Sequence, residues 1–419
     1  MQQDQCPHTE LFDGMCVLCG KDMSHNLPNG YVPNNELIMR KEDIQKEKES
    51  IDKYLMDNKK LALVIDLDRT LIDTIIVKNE EEAKRIIDLD PENKSDLFYF
   101  MLDRLYLVRI RPHVHEFLEK LAPFYIMHLD TLSQRSYAEI IMKKIDPTDV
   151  YFRGRIRCRD ERKLQTKTIE SFILSDKYTI ALDDTPDVWQ QENDHFDFIP
   201  RRPIIYHNLI QLEPFLYFKS FPDGKKEISQ RAANDTTLQN IADIMVEKIH
   251  HKFFEKQTEN VFLTICDLKL SVLRDCYIMF SNAWNEEDTL QRNKIISRAE
   301  QFGANIVVNF CPYVTHIVGF GPPQTVADEA AKYKGIFIVH MAWFDYSCLR
   351  FNKEDEYRYQ IPGYQMVTNG DLPRTDPPPE EEIGSTDFDD LMNGDTTESS
   401  SDYSDDDAYS EDISFLGDN

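Results

Sequence analysis

Three short apolar runs, each stopping at a carboxylate, constrain this chain more than any other feature. Leu61-Ala62-Leu63-Val64-Ile65 ends at Asp66, Phe124-Tyr125-Ile126-Met127-His128-Leu129 ends at Asp130-Thr131, and Tyr178-Thr179-Ile180-Ala181-Leu182 ends at Asp183-Asp184. Unbroken apolar runs of that length suit strands buried on both faces of a parallel sheet. Helical spacing over His113–Ala122, Arg135–Lys144 and Thr166–Phe172 places crossover helices between them, so an α/β domain is expected. Ligands of such sheets bind beyond the carboxyl ends of the strands. Strand ends are often polar simply because they meet solvent, but three runs ending in acids favour a site.

The chemistry of that edge follows from the residue types. Asp66 and Asp68, two residues apart at a strand end, would repel if both stayed charged and dry, and a bound cation relieves this. Mg²⁺ suits such a site because it takes oxygen ligands and keeps positions for water or substrate phosphate. Asp66 can then attack phosphorus as a carboxylate nucleophile, and Asp68 can protonate the leaving oxygen and later activate water. Phosphate-monoester hydrolysis is so slow uncatalysed that donors are needed around the phosphoryl oxygens. Thr131 offers a hydroxyl, Lys167 a compact positive charge, and Asp183 with Asp184 complete the metal site. Asp-x-Asp-x-Thr alone is a weak signal; its company is what gives it weight.

These residues carry a family resemblance. Leu63-Val64-Ile65-Asp66-Leu67-Asp68-Arg69-Thr70-Leu71 resembles the first motif of haloacid-dehalogenase-type phosphatases of the Fcp/Scp group, which act on the carboxy-terminal repeat of RNA polymerase II. Val108-Arg109-Ile110-Arg111-Pro112, Tyr125 to Thr131 with Arg135 and Tyr137-Ala138, Arg155-Ile156 with Arg159-Asp160-Glu161, Lys167, and Asp183-Asp184 with Asp187-Val188-Trp189 are similar to the motifs that follow. The resemblance implies a Rossmannoid parallel sheet, Asp66 as nucleophile and Asp68 as acid/base. It also implies phosphate binding by Thr131, Lys167 and Arg111, with Thr70, Tyr125 and Arg159 in support. Mg²⁺ would be held by Asp66, the Asp68 carbonyl, Asp183 and Asp184. Ser133 departs from the family's usual Gly, and the compressed gap from Arg159 to Lys167 leaves Lys163 as a second choice for the motif lysine.

Downstream, 221–259 reads as a polar linker followed by a helix over Leu238–Phe254. A second, smaller α/β unit follows over 260–362. Its strands are expected at Cys276–Phe280, Asn305–Val308, His316–Gly319 and Ile336–Val339, its helices at Leu290–Phe302, Thr325–Lys334 and Met341–Leu349. This unit resembles a BRCT domain, with Trp343 as its buried aromatic. Asn282 after Ser281, and no helix lysine before Lys332, argue for docking without a phosphate pocket. The order of phosphatase domain (35–220), helix, BRCT unit and acidic tail (363–419) resembles the TFIIF-associating members of the group. The resemblance implies a nuclear phosphoserine phosphatase that recycles the polymerase. An inactive BRCT scaffold holding phosphorylated polymerase, or another phosphatase of the superfamily, are the alternatives.

The charge balance, 48 Lys+Arg against 75 Asp+Glu for a net −27, is uneven: no Lys or Arg follows Arg374. An acidic chain is a poor nonspecific binder of nucleic-acid backbone, so no direct nucleic-acid partner is expected. The tail segments Phe388-Asp389-Asp390-Leu391-Met392 and Ile413-Ser414-Phe415-Leu416 set apolar residues among acids, a pattern that can order on a basic groove; the resemblance suggests TFIIF. Without a signal-peptide pattern or a run of the ~20 apolar residues a membrane helix needs, the chain reads as soluble and intracellular, with no membrane partner. In the first segment, 1–34, Cys6-x-His8 and Cys16-x-x-Cys19-Gly20 offer four ligands with Zn²⁺-like spacing, although the same cysteines suit a plain N-terminal tail.

Overall fold

The computed structural model describes Cys6, 10–12, 15–19, Lys21, 31–34, 37–161, 166–189, 208–221, 225–285 and 287–377. The three apolar runs form strands Leu61–Ile65, Tyr125–Asp130 and Thr179–Asp183. They lie side by side in a five-stranded sheet whose order is Ile156–Arg157, Tyr125–Asp130, Leu61–Ile65, Thr179–Asp183, Leu209–Gln211. Every pairing in it is parallel. All five residues of Leu61–Ile65 are buried, as a strand covered on both faces must be. Helices Val114–Leu121 and Arg135–Ile145 supply crossovers close to the expected bounds, whereas Thr166–Phe172 holds only a 3₁₀ turn at Ile169–Phe172.

Register does the functional work. Ile65 pairs with Leu129, and Leu182 pairs with Ile65, so Asp66, Asp130 and Asp183 leave the sheet at one level along the same edge. A second, antiparallel sheet grows from the chain just after Asp68: Ile72–Val77, Leu105–Ile110 and Leu97–Met101 pair in that order. Sequence periodicity did not distinguish this ribbon, whose strands are separated by a helix at Glu80–Ile87.

Ahead of the first apolar run, the chain forms a strand, Leu37–Arg40, and is then helical over Lys41–Asp57. The polar stretch 220–234 is no bare linker: Phe218–Ser220 and Lys226–Ile228 pair, and Gln230–Ala233 is helical. A helix follows over Thr237–Asp243, passes through a π-helical segment Ile244–His250, and ends at His251–Lys256. A further helix, Val261–Leu270, not expected from the sequence, comes next. Its Lys269 Nζ lies 3.3 Å from the Leu209 carbonyl of the five-stranded sheet.

The second α/β unit forms its own sheet, ordered Asn305–Ile306, Tyr277–Ser281, His316–Gly319, Lys334–His340, Val367–Asn369. The first four strands are parallel, and the last, which falls within the stretch expected as tail, is antiparallel. Trp343 is fully buried and donates through Nε1 to the Glu354 carbonyl at 2.9 Å. Met1–Arg374 form one compact unit, and one apolar cluster runs from Leu61 to Phe351 through both sheets. The acidic segments 388–392 and 413–416 lie outside the described residues. No helix among the described residues is long and apolar enough to cross a membrane.

Candidate active site

Lys167 is the centre of the carboxylate edge. Its Nζ lies 2.5 Å from Asp66 Oδ1 and 2.6 Å from Asp183 Oδ2, and all three side chains are buried. The backbone places it there by a bridge to Trp189, with Lys167 N donating to the Val188 carbonyl at 2.7 Å. Trp189 closes the back of the site: its Nε1 donates to Asp183 Oδ2 at 2.8 Å, while Thr185 N donates to Asp183 Oδ1 at 2.8 Å. Lys163, the second choice for this role, lies outside the described residues.

One buried ammonium faces more carboxylate than it can neutralise. Burial pulls the Lys167 pKa down, but Asp66 and Asp183 outweigh it and hold the group above its ordinary value. Burial pushes the Asp66 carboxyl well up, against Lys167, and the Asp183 and Asp68 charges add to the push. Asp184 is raised to about 6 by burial and by Asp183. Carboxylate oxygens of Asp66, Asp183 and Asp184 lie within 4.8 Å of one another. An all-oxygen donor set with residual negative charge fits Mg²⁺ or a similar hard cation, and addition of that cation would relieve the raised pKa values.

Asp68 faces a different set of partners. Its Oδ2 accepts from the Ser133 hydroxyl at 2.7 Å and lies 3.5 Å from Thr131 Oγ1, while Oδ1 accepts from the Tyr137 hydroxyl at 2.8 Å. Burial, then the Asp68 charge, hold Tyr137 far above its ordinary pKa, so it stays a proton donor. Ser133, noted in the sequence only as a departure, thus becomes an Asp68 ligand. Tyr137 stood in a motif but without a role. Its position in the first turn of Arg135–Ile145, directly after a strand end, was the signal available. Arg69 adopts a positive φ of 60° between the two acids and Thr70, which turns the chain back so that Arg69 N can reach the Ile72 carbonyl at 2.7 Å. Thr70 Oγ1 is buried with no hydrogen-bond partner among the described residues.

Two expected site residues belong elsewhere. Tyr125 sits at the opposite end of the sheet, paired with Leu61, and donates to the Met245 carbonyl at 2.7 Å; it anchors the helical segment and is remote from Asp66. Arg111 is buried under the motif loop rather than open to phosphate. Its guanidinium donates to the Thr70 carbonyl at 3.1 Å, the Glu213 carbonyl at 3.0 Å and Asp235 Oδ2 at 2.8 Å. It holds the loop from behind. Arg159 is exposed and lines, with Asp68, Ile76, Tyr106, Ser133 and Tyr137, an open cleft of about 410 Å³.

In the second unit, Ser281 is buried and Asn282 Nδ2 donates to the Gly321 carbonyl at 2.6 Å. Lys332 is spent on Glu329.

Comparison with known proteins agrees with this geometry. Residues 61–219 match the model of the family described as NLI interacting factor-like phosphatase. The chain is 30% identical over 437 residues to an RNA polymerase II C-terminal domain phosphatase of Caenorhabditis elegans, covering 94% of this chain and 60% of that one. It is 25% identical to RNA polymerase II C-terminal domain phosphatase-like 4 of Arabidopsis thaliana, covering 85% and 82%. The solved structure of Fcp1, an essential RNA polymerase II CTD phosphatase, superposes with a TM-score of 0.62 at 20% identity, over 75% of this chain and 99% of that one. That likeness establishes the fold.

Proposed function

From the match of residues 61–219 to the NLI interacting factor-like phosphatase model and the likeness to RNA polymerase II C-terminal domain phosphatases, we propose that the chain is an Fcp/Scp-type, Mg²⁺-dependent protein serine phosphatase acting on the phosphorylated C-terminal repeat of RNA polymerase II. One observation carries the chemistry: Lys167 ties Asp66 to Asp183 within ligand reach of Asp184, while Asp68 is turned away to Ser133 and Tyr137. The nucleophile and the acid/base therefore keep separate partners.

Asp66 attacks phosphorus, the bond to the serine oxygen breaks, and protonated Asp68 gives its proton to that oxygen. Asp68, now a carboxylate, takes a proton from water, whose oxygen attacks the aspartyl-phosphate and frees Asp66 and inorganic phosphate. Lys167 and Thr131 stabilise the phosphoryl oxygens, and the Tyr137 and Ser133 donors orient Asp68. Bound through Asp66, the Asp68 carbonyl, Asp183 and Asp184, Mg²⁺ would supply charge neutralisation at the phosphoryl group.

The open cleft beside Asp68 suits an extended peptide better than a small metabolite, which calls for an enclosed site. A polymerase substrate implies a nuclear location, a docking role for the BRCT-like unit, and TFIIF as receiver of the acidic tail. Release of phosphate from a phosphoserine repeat peptide, compared with p-nitrophenyl phosphate and a sugar phosphate, tests the reading. Asp66→Asn is expected to abolish it and Asp68→Asn to lower it by ~10²–10⁴-fold. An intact enzyme without magnesium dependence would overturn the proposal, as would equal preference for the sugar phosphate. Total inactivity would return the scaffold reading. If deletion of 376–419 leaves TFIIF affinity unchanged, the tail has no such role.

A further inference from the structure

The amino-terminal strands gather three cysteines far from the phosphatase acids in sequence. Glu10–Phe12, Met15–Cys16, Tyr31–Asn34 and Leu37–Arg40 make a four-stranded antiparallel sheet in which Glu10–Phe12 lies between Met15–Cys16 and Leu37–Arg40. Cys16 is buried at the end of its strand, and the chain then turns so that Cys16 N donates to the Lys21 carbonyl at 2.8 Å. That turn returns Cys19 toward Cys16, and Cys6 joins them from before the first strand: the three Sγ atoms lie within 4.8 Å of one another.

The spacing discriminates between chemistries. Cys6 Sγ and Cys16 Sγ are 3.6 Å apart, whereas a disulfide would draw two sulfurs to ~2.05 Å. Two thiolates on one tetrahedral zinc, each with Zn–S of ~2.3 Å, lie ~3.8 Å apart. The observed pair is close to the second distance and far from the first. Packing points the same way. Met15, Val17 and Leu18 are exposed at 52%, 53% and 64%, and the buried side chain in this stretch is Cys16 itself. With its apolar neighbours turned to solvent, the Cys16 turn gains little from hydrophobic burial, and a metal is one of the few staples available to it.

We propose that Cys6, Cys16 and Cys19 bind one structural Zn²⁺. His8, named with them in the sequence, lies outside the described residues. The site is separate from the Asp66, Asp183 and Asp184 group and does not depend on the phosphatase reading. Soft thiolates prefer Zn²⁺ and leave Mg²⁺ to the carboxylates, so both ions are accommodated in one chain. Zinc binding here fastens the amino-terminal segment to itself and orders the sheet that leads into the helix Lys41–Asp57.

The test uses the full chain, purified in magnesium buffer and analysed for bound metal by mass spectrometry. One zinc per chain is expected. Asp184→Asn should retain it, whereas Cys16→Ser and Cys19→Ser should lose most of it. Wild type loaded with Co²⁺ should show thiolate-to-metal charge-transfer absorption, and titration of its thiols with an organomercurial should eject the zinc; neither measurement depends on a variant folding. A wild-type chain that takes up no zinc, a cobalt form without thiolate absorption, or serine variants that keep a full equivalent would each overturn the proposal.

Discussion

Replacing Lys167 by methionine should convert magnesium from an ordinary ligand into a structural requirement. The substitution keeps most of the side chain's length and removes its charge, so that Asp66 and Asp183, 5% and 1% exposed, face each other without the ammonium now 2.5 and 2.6 Å away. Removing one member of a buried ion pair costs ~3–5 kcal/mol because the remaining charge stays uncompensated. At ~2.1 cal/mol/K per residue, each kcal/mol moves the Tm of a unit spanning Met1–Arg374 by about 1.3 °C, so the variant in EDTA should melt about 4–6 °C below wild type. A divalent ion can replace the lost charge. In wild type it must share the carboxylates with Lys167, but in the variant it meets no competing cation and should bind more tightly. Saturation at ~100 times Kd contributes about 2.7 kcal/mol, enough to recover half or more of the loss.

The assay is thermal melting of both proteins in EDTA and in magnesium, with peptide hydrolysis measured in parallel. The variant should gain more in Tm from magnesium than wild type does, yet stay slower in hydrolysis by ~10²–10³, the usual loss when one charge-stabilising donor is removed. Equal magnesium shifts in the two proteins would refute the argument, since they would mean that Lys167 and the cation do not compete for the same carboxylates. Hydrolysis at the wild-type rate would refute the role of Lys167 at the phosphoryl group.

Four further perturbations probe the surroundings. Arg111→Met strands the Asp235 carboxylate, 12% exposed, and frees the Thr70 carbonyl, so urea unfolding should show a loss of ~3–5 kcal/mol. Arg231→Ala removes an ion pair to Glu213 whose cation is 59% exposed and should cost less than ~1 kcal/mol. Trp189→Phe deletes the 2.8 Å bond to Asp183 Oδ2; a charge-assisted bond of this kind is worth ~1.5–3 kcal/mol, and the magnesium concentration for half-maximal activity should rise. His128, buried against Phe172 and near Arg155, has its pKa lowered to about 3 by desolvation and then by Arg155. The unfolded chain, with an imidazole pKa of ~6.5, binds a proton that the folded chain refuses, so stability falls as pH drops below that value. At pH 5 the loss from this residue is about 2 kcal/mol. Comparison of urea unfolding at pH 7 and 5 should show His128→Gln losing that much less than wild type, and parallel losses would count against it.

What could be read from residues alone was whatever depended on strand ends. An unbroken apolar run declares a strand buried on both faces, and the residue at which it stops must lie on the sheet's carboxyl edge. Asp66, Asp183 and Thr131 therefore found their places without any structure. Tyr125 misled because motif membership says nothing of which end of a strand a residue occupies; it opens the strand that Asp130 closes, so five residues of ~3.3 Å each put it across the whole sheet. Arg111 misled for another reason. A conspicuous arginine in a phosphatase suggests phosphate, but its partners are the backbone of Thr70 and Glu213 and the carboxylate of Asp235, residues up to 124 positions away. No local pattern encodes such a pairing. The same holds for the ribbon at Ile72–Val77, Leu97–Met101 and Leu105–Ile110, whose half-buried strands owe their order to cross-strand neighbours. Side chains at strand ends are legible because one dimension of the chain positions them; the supports beneath them are fixed by contacts that exist only after the chain has folded.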